Sequence, residues 1–154
     1  MKRREWMLNV AALAVAGAAG RAGATALPEL VVYKSPTCGC CVDWVKHLRA
    51  SGFTVKTVDV QDLAAIRQKF GVPDRLAACH TAVVGGYVVE GHVPASAVKR
   101  LLAEKPSVVG ISVPGMPNGS PGMEGPKSEP FSALVFDERG NAQVFESYRP
   151  PYRW

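Results

Sequence analysis

The sequence predicts a single α/β domain, and three observations carry that prediction. Short, valine-rich apolar runs alternate with segments whose apolar residues recur at helical spacing. Glycine and proline punctuate the boundaries between them. The 154 residues, 47% of them hydrophobic, provide for one core of modest size and exclude an intrinsically disordered chain. The net charge of +5 does not mark a nucleic-acid surface. Its excess sits in Lys2, Arg3, Arg4 and Arg21 against Glu5 alone, and the remaining charges are interspersed and nearly balanced.

The first segment is read as a secretory signal peptide over 1–26. Lys2-Arg3-Arg4 is a positive start, Met7 to Gly20 is apolar apart from Asn9, and Ala24-Thr25-Ala26 offers small residues to a signal peptidase. The apolar stretch falls short of the ~20 residues of a spanning helix. Cleavage is expected after Ala26, or alternatively after Ala24. Arg3-Arg4 suits a twin-arginine route or, equally, general secretion. The expected location is the periplasm, with no membrane attachment after cleavage and a mature domain over 27–154.

Within that domain Leu30-Val31-Val32-Tyr33 reads as a buried strand ending at Lys34. Ser35-Pro36-Thr37 interrupts it and supplies candidate helix caps. Cys41, Trp44, Val45 and Leu48 then recur at helical spacing, and Ser51-Gly52 closes that helix. Phe53 to Val60 alternates as a second strand. Asp62 caps a second helix with Leu63, Ile66 and Phe70 on one face, stopped by Gly71-Val72-Pro73. A third strand runs from Cys79 to Val84, turns at Gly85-Gly86 and returns through Tyr87 to Glu90. Pro94 suits the first turn of a third helix, with Val98, Leu101 and Leu102 inward, ending before Pro106. The order β-α-β-α-β-β-α, with a parallel first pair and an antiparallel hairpin, is that of a thioredoxin-like fold. From Pro106 the composition changes: a Pro/Gly/Met-rich loop, 106–130, carries Met116 and Met123, and a C-terminal hairpin, 131–148, turns around Gly140.

Export directs attention to the cysteines, because thiols in an oxidising compartment normally pair as structural disulfides. Cys38, Cys40 and Cys41 are crowded into one short run, and a bridge inside it would constrain little of the unfolded chain. Crowded thiols point instead to metal binding or redox exchange. Cys38 and Cys41 are three apart and face one side of a helical turn, while Cys40 is rotated by about 100° toward the side of Trp44 and His47. The N-terminus of a helix favours thiolate over thiol. Cys79 and His80 open the third strand and His92 follows the fourth, so these strand ends can approach the first helix. Cys38, Cys40, Cys41, Cys79, His80, His92, Met116 and Met123 are therefore the candidate metal ligands, with Cys38 and Cys41 the candidate redox pair. Soft thiolate and thioether donors favour copper as Cu(I), and imidazole also suits Cu(II). Zinc prefers cysteine, histidine and carboxylate, so it becomes credible only if the methionines take no part. His47 is expected to be a surface histidine and Trp44 a packing residue.

Tyr33 to Cys41, Trp44 with His47-Leu48, Cys79-His80-Thr81-Ala82, Gly86 to Pro94, and the two methionine runs Pro114 to Pro117 and Gly119 to Glu124 together resemble the CopG-type family. These are periplasmic metal-binding proteins long catalogued as a domain of unknown function and often linked to copper resistance. The resemblance spans about Leu30 to Tyr148. It implies a thioredoxin-like domain with a copper site of cysteine, histidine and methionine, and cycling between Cu(I) and Cu(II). Copper ions, other periplasmic copper-handling proteins and electron donors are the implied partners. The competing expectation is a periplasmic thiol-disulfide oxidoreductase, to which fold and CxxC position speak. Against it, Cys79 stands where such enzymes carry a proline before the third strand, and Cys40 would invite wrong disulfides. A structural zinc domain is a third reading.

Overall fold

The computed structural model describes residues 26–152. The expected signal peptide, apart from Ala26, lies outside the described residues, as do positions 153–154 of the expected domain. The elements are β1 (Leu30–Lys34), α1 (Gly39–Ala50), β2 (Val55–Asp59), α2 (Leu63–Phe70), a 3-10 turn (Asp74–Leu76), β3 (His80–Val84), β4 (Tyr87–Glu90), α3 (Ala95–Glu104), β5 (Gly110–Ser112), β6 (Phe131–Phe136) and β7 (Ala142–Tyr148). All seven strands form one sheet in the order β2-β1-β3-β4-β5-β6-β7. β2 runs parallel to β1 and β5 parallel to β4, and the other pairs are antiparallel. The first four strands have the thioredoxin-like arrangement, with β3 reversed between β1 and β4.

The alternation along each strand sends one set of side chains to each face. Leu30, Val32, Ala82, Val84, Val89, Ile111, Ala133 and Val135 meet Trp44, Val45 and Leu48 of α1 and Ala97, Val98 and Leu101 of α3 in the main core. The opposite face is thinner. Val72, Leu76, Val88 and Phe136 are buried there, with Phe70, Val109 and Leu134 packed partly against them. α2 buries none of its residues fully, although Phe70 meets the Tyr33 ring at 5.5 Å. Asp62 caps α2 as expected, accepting from Ala65 N–H at 3.0 Å.

Several boundaries differ from expectation. β5 lies inside the stretch assigned to loop. Only three residues long, it is held by β4 on one side and β6 on the other, remote partners that no local pattern reveals. Through β5 the terminal hairpin joins the main sheet. The N-cap of α1 is Cys38 rather than Ser35 or Thr37, and its side chain makes no capping hydrogen bond. Pro94 is the N-cap of α3, which begins at Ala95. β2 is shorter than its apolar alternation, and β3 begins at His80, one residue after the expected start.

Leu48 is fully buried where α1 meets the sheet. Leu48→Ala should cost about 2–5 kcal/mol by leaving a cavity. The midpoint of cooperative urea unfolding checks this.

Candidate metal centre

The centre lies where the first turn of α1 faces the start of β3 and the segment after β4. Cys38 and Cys41 form a disulfide with their Cα atoms 5.4 Å apart, which matches the spacing expected to bring these sulfurs to one side. Cys40 does not turn away with Trp44 and His47: its Sγ lies 3.5 Å from that of Cys38 and 3.9 Å from that of Cys79. Side chains of a first helical turn lean toward the N-terminus, which carries this sulfur back over the cap. Cys79 Sγ in turn stands 3.6 Å from Cys41 Sγ. All four sulfurs lie within 4.8 Å of one another, and Cys79, His80 and His92 form a second group of the same tightness sharing Cys79.

Cys79 is the hinge of the cluster. Its sulfur lies 2.9 Å from His92 Nε2 and 3.3 Å from His80 Nδ1. His92 Nδ1 lies 2.7 Å from the Pro121 carbonyl, which can only accept, so the ring proton sits on Nδ1. Nε2 therefore presents its lone pair to Cys79, the arrangement by which a backbone carbonyl commonly orients a ligating histidine. His80 is fully buried beside Trp44, ring centres 4.2 Å apart, and its Nε2 has no hydrogen-bond partner among the described residues. Trp44 packs as expected, with its indole N–H donating to Val93 O at 2.9 Å.

Electrostatics keep these groups neutral in the metal-free form. Burial, reinforced by Cys40 alongside, pushes the Cys79 thiol well up. Burial lowers His80 to about 3, with His92 contributing in the same direction. Burial also lowers His92, opposed by Pro121 O and by Glu124. A soft cation entering here would replace protons on the thiols, not compete with charged imidazoles.

The methionine loop is fastened to both walls. Gly115 N–H donates to Ala77 O at 3.0 Å, and Gly115 bridges Ala78 in parallel, which places Met116 beside the segment leading to Cys79. Gly122, with φ +85°, sits against α1 so closely that a Cβ would lie 2.7 Å from Trp44 N and 2.8 Å from Cys40 O. Met123 follows it directly, half-buried, with its N–H donating to Ser120 O at 2.8 Å. Met116 is half-exposed, 51% of its surface being open. His47 departs from expectation. It is half-buried and its Nε2 accepts from Ala95 N–H at 3.0 Å, joining α1 to the start of α3.

Sequence reasoning missed two supports. The Pro121 carbonyl left no side-chain signal. Glu90 did leave one, a charge closing an apolar strand, and in the structure it is fully buried. Its Oε1 accepts from Ala78 N–H at 2.8 Å and its Oε2 from Thr81 Oγ1 at 2.6 Å, which grips the chain on either side of Cys79-His80.

A thioredoxin-like sheet with clustered cysteines at the first helix, faced by a thiol–imidazole pair from two further segments, defines a protein with a built cysteine and histidine centre. The family described as "Protein of unknown function, DUF411" matches residues 76–123. A solved structure described as copper resistance protein CopG, form 2, is 41% identical, with a TM-score of 0.76, covering 80% of this chain and 99% of that one. Form 1 of the same description is also 41% identical, with a TM-score of 0.75 over 79% and 98% of the two chains. No curated protein matches. The chain belongs to the CopG family.

The buried His80 sets a pH window. It stays neutral in the fold down to about pH 3 but protonates near 6.5 when unfolded. Between those values the unfolded chain binds more protons, so stability is full above pH 6.5 and falls as pH is lowered toward 3. The slope is about 1.4 kcal/mol per pH unit for each such histidine. Urea midpoints of the metal-free, disulfide-intact protein should follow this course, and His80→Phe should flatten it.

Proposed function

We propose that this protein binds copper in the periplasm during copper stress, sequestering the ion or changing its oxidation state between Cu(I) and Cu(II). The observation that carries the reading is the convergence of Cys38, Cys40, Cys41 and Cys79 within one sulfur cluster that shares Cys79 with two buried histidines. Reduced, that set presents soft thiolates in a compact group, the donor chemistry that favours Cu(I), and imidazoles that also accept Cu(II). The two neighbours described as copper resistance proteins support the same metal.

In this reading copper is cargo and substrate. The four thiolates, His92 and His80 are its protein donors, and Met116 and Met123 complete the shell. Thioethers suit an oxidising compartment because they do not form disulfides. The redox step balances within the cluster. Counted from the reduced, metal-free dithiol, closing the Cys38–Cys41 bond breaks two S–H bonds and releases two protons to water, and the two electrons reduce two Cu(II) ions to Cu(I). Partner proteins are periplasmic copper carriers or electron donors that reopen that bond. Residues 1–26 act as the export signal, and the mature chain 27–154 works without membrane attachment. Among the described residues no helix is long and apolar enough to cross a membrane.

A second reading, thiol-disulfide exchange on exported proteins, draws on the closed Cys38–Cys41 disulfide at a helix N-terminus. The crowding of Cys40 and Cys79 against that bond favours the copper reading, because exchange enzymes need an isolated attacking thiol.

Metal analysis of protein purified anaerobically from its native periplasm decides between copper, zinc and no metal. The reduced protein should bind Cu(I) with thiolate-to-copper absorption, and Met116→Ala with Met123→Ala should weaken binding by at least about tenfold. Unchanged affinity would remove the methionines from the shell. Catalytic reduction of insulin disulfides by metal-free protein would favour exchange instead. The mature N-terminus should be Leu27, or Thr25 for the alternative cleavage, by N-terminal sequencing.

A further inference from the structure

With Cys38 bonded to Cys41, Cys40 and Cys79 are the free thiols of the chain. They come from different walls, Cys40 from the first turn of α1 and Cys79 from the residue before β3, and their sulfurs face each other at 3.9 Å. The other sulfur neighbour of each is spent. Cys40 lies 3.5 Å from Cys38 and Cys79 lies 3.6 Å from Cys41, and both of those sulfurs are already engaged. All four cysteines of the sequence are in this one cluster, so no outside thiol competes. A second disulfide has a single available pairing.

We infer that the centre is a four-electron store, in which a Cys40–Cys79 disulfide closes after Cys38–Cys41. The inference rests on the proposed copper cycling and extends it. In the second closure the S–S bond forms as two S–H bonds break. Two protons pass to water, and two electrons reduce a second pair of Cu(II) ions to Cu(I). Full oxidation of the reduced chain thus reduces four Cu(II).

The two closures differ in consequence. The first links residues three apart and leaves Cys40, Cys79 and His92 as donors, so a half-oxidised centre still grips its ion. The second removes the last thiols and ties α1 to β3 across a sequence separation of 39. It therefore both releases soft-metal affinity and restrains the unfolded chain, which the short first loop scarcely does. The same bond couples electron count to metal release.

The test starts from fully reduced, metal-free protein under anaerobic conditions. It is titrated with Cu(II) while Cu(I) is trapped by a bathocuproine chelator. Intact mass is then read after alkylation, with peptide mapping of the bridges. Wild type should yield four Cu(I) per chain, with Cys40 paired to Cys79 and no alkylated cysteine. Cys40→Ser should stop at two Cu(I) with Cys79 alkylated. A metal-free arm uses diamide as oxidant: wild type should consume two equivalents, Cys40→Ser one, and the urea midpoint should rise only at the second equivalent. Wild type that stops at two Cu(I) with Cys40 and Cys79 both alkylated overturns the inference and leaves copper cycling standing. Mapped bridges of Cys38–Cys40 with Cys41–Cys79 overturn it as well. If diamide closes both bonds but Cu(II) yields no Cu(I), the copper-cycling reading fails and the paired-disulfide chemistry survives. If neither oxidant closes Cys40–Cys79, the store does not exist.

Discussion

One close backbone approach governs the site. Gly91, at φ +73°, passes so near the segment ahead of β3 that a Cβ would stand 2.5 Å from Ala78 Cβ and 2.6 Å from Val113 O. No other residue fits there without moving backbone. Its N–H donates to His80 O at 3.0 Å, which carries the β3–β4 pairing one step past the end of the ladder. The next residue, His92, is thereby delivered opposite Cys79. At the same crossing Val113 N–H donates to Glu90 O at 3.0 Å, so the chain entering the methionine loop is anchored to the strand that supplies the histidine. The 2.9 Å contact between Cys79 Sγ and His92 Nε2 is a product of backbone geometry before it is a property of either side chain.

Glu90 stiffens what Gly91 permits. Burying a carboxyl group is costly unless its oxygens are satisfied, and both are, by Ala78 N–H and the Thr81 hydroxyl. Burial raises its proton affinity, while these two hydrogen bonds and Arg67 act in the opposite sense. Arg67 also reaches Ala78 O at 3.4 Å, which brings α2 into the support. A hard oxygen group is thus used to hold soft donors in place, with both of its oxygens occupied by the chain.

The strands and helices were legible where local pattern and tertiary role coincide. Trp44, Val45 and Leu48 announced the buried face of α1 by spacing alone, and Gly85-Gly86 announced the β3–β4 turn. The clustering of Cys38, Cys40 and Cys41 pointed to the centre, and a thioredoxin-like order placed Cys79 and His92 near it. β5 was hidden because three residues carry no periodicity and their order comes from neighbours on both sides. The direction of Cys40 was misread because an ideal helical wheel ignores the tilt of a first turn. His47 was misread because its partner, the Ala95 N–H, is a backbone group exposed by the start of another helix. Pro121 was invisible for the same kind of reason: its contribution is a carbonyl.

The loop then decides what kind of centre this is. Gly122 seats it on α1, Gly115 ties it to Ala77, and Pro121 O sets the tautomer of His92. The far end of the chain secures it in turn. The Tyr152 hydroxyl donates to Glu129 O and, at 3.4 Å, to Asn118 O, and its ring meets Phe131 with centres 5.6 Å apart. An exchange enzyme needs its first cysteine open to a protein substrate and its other thiols out of reach. Here α1, the segment before β3 and the segment after β4 bring four sulfurs and two imidazoles together, and the strapped loop holds the His92 ring from behind. Four sulfurs within 4.8 Å of one another, sharing Cys79 with an oriented imidazole, are chemistry for holding a soft metal ion.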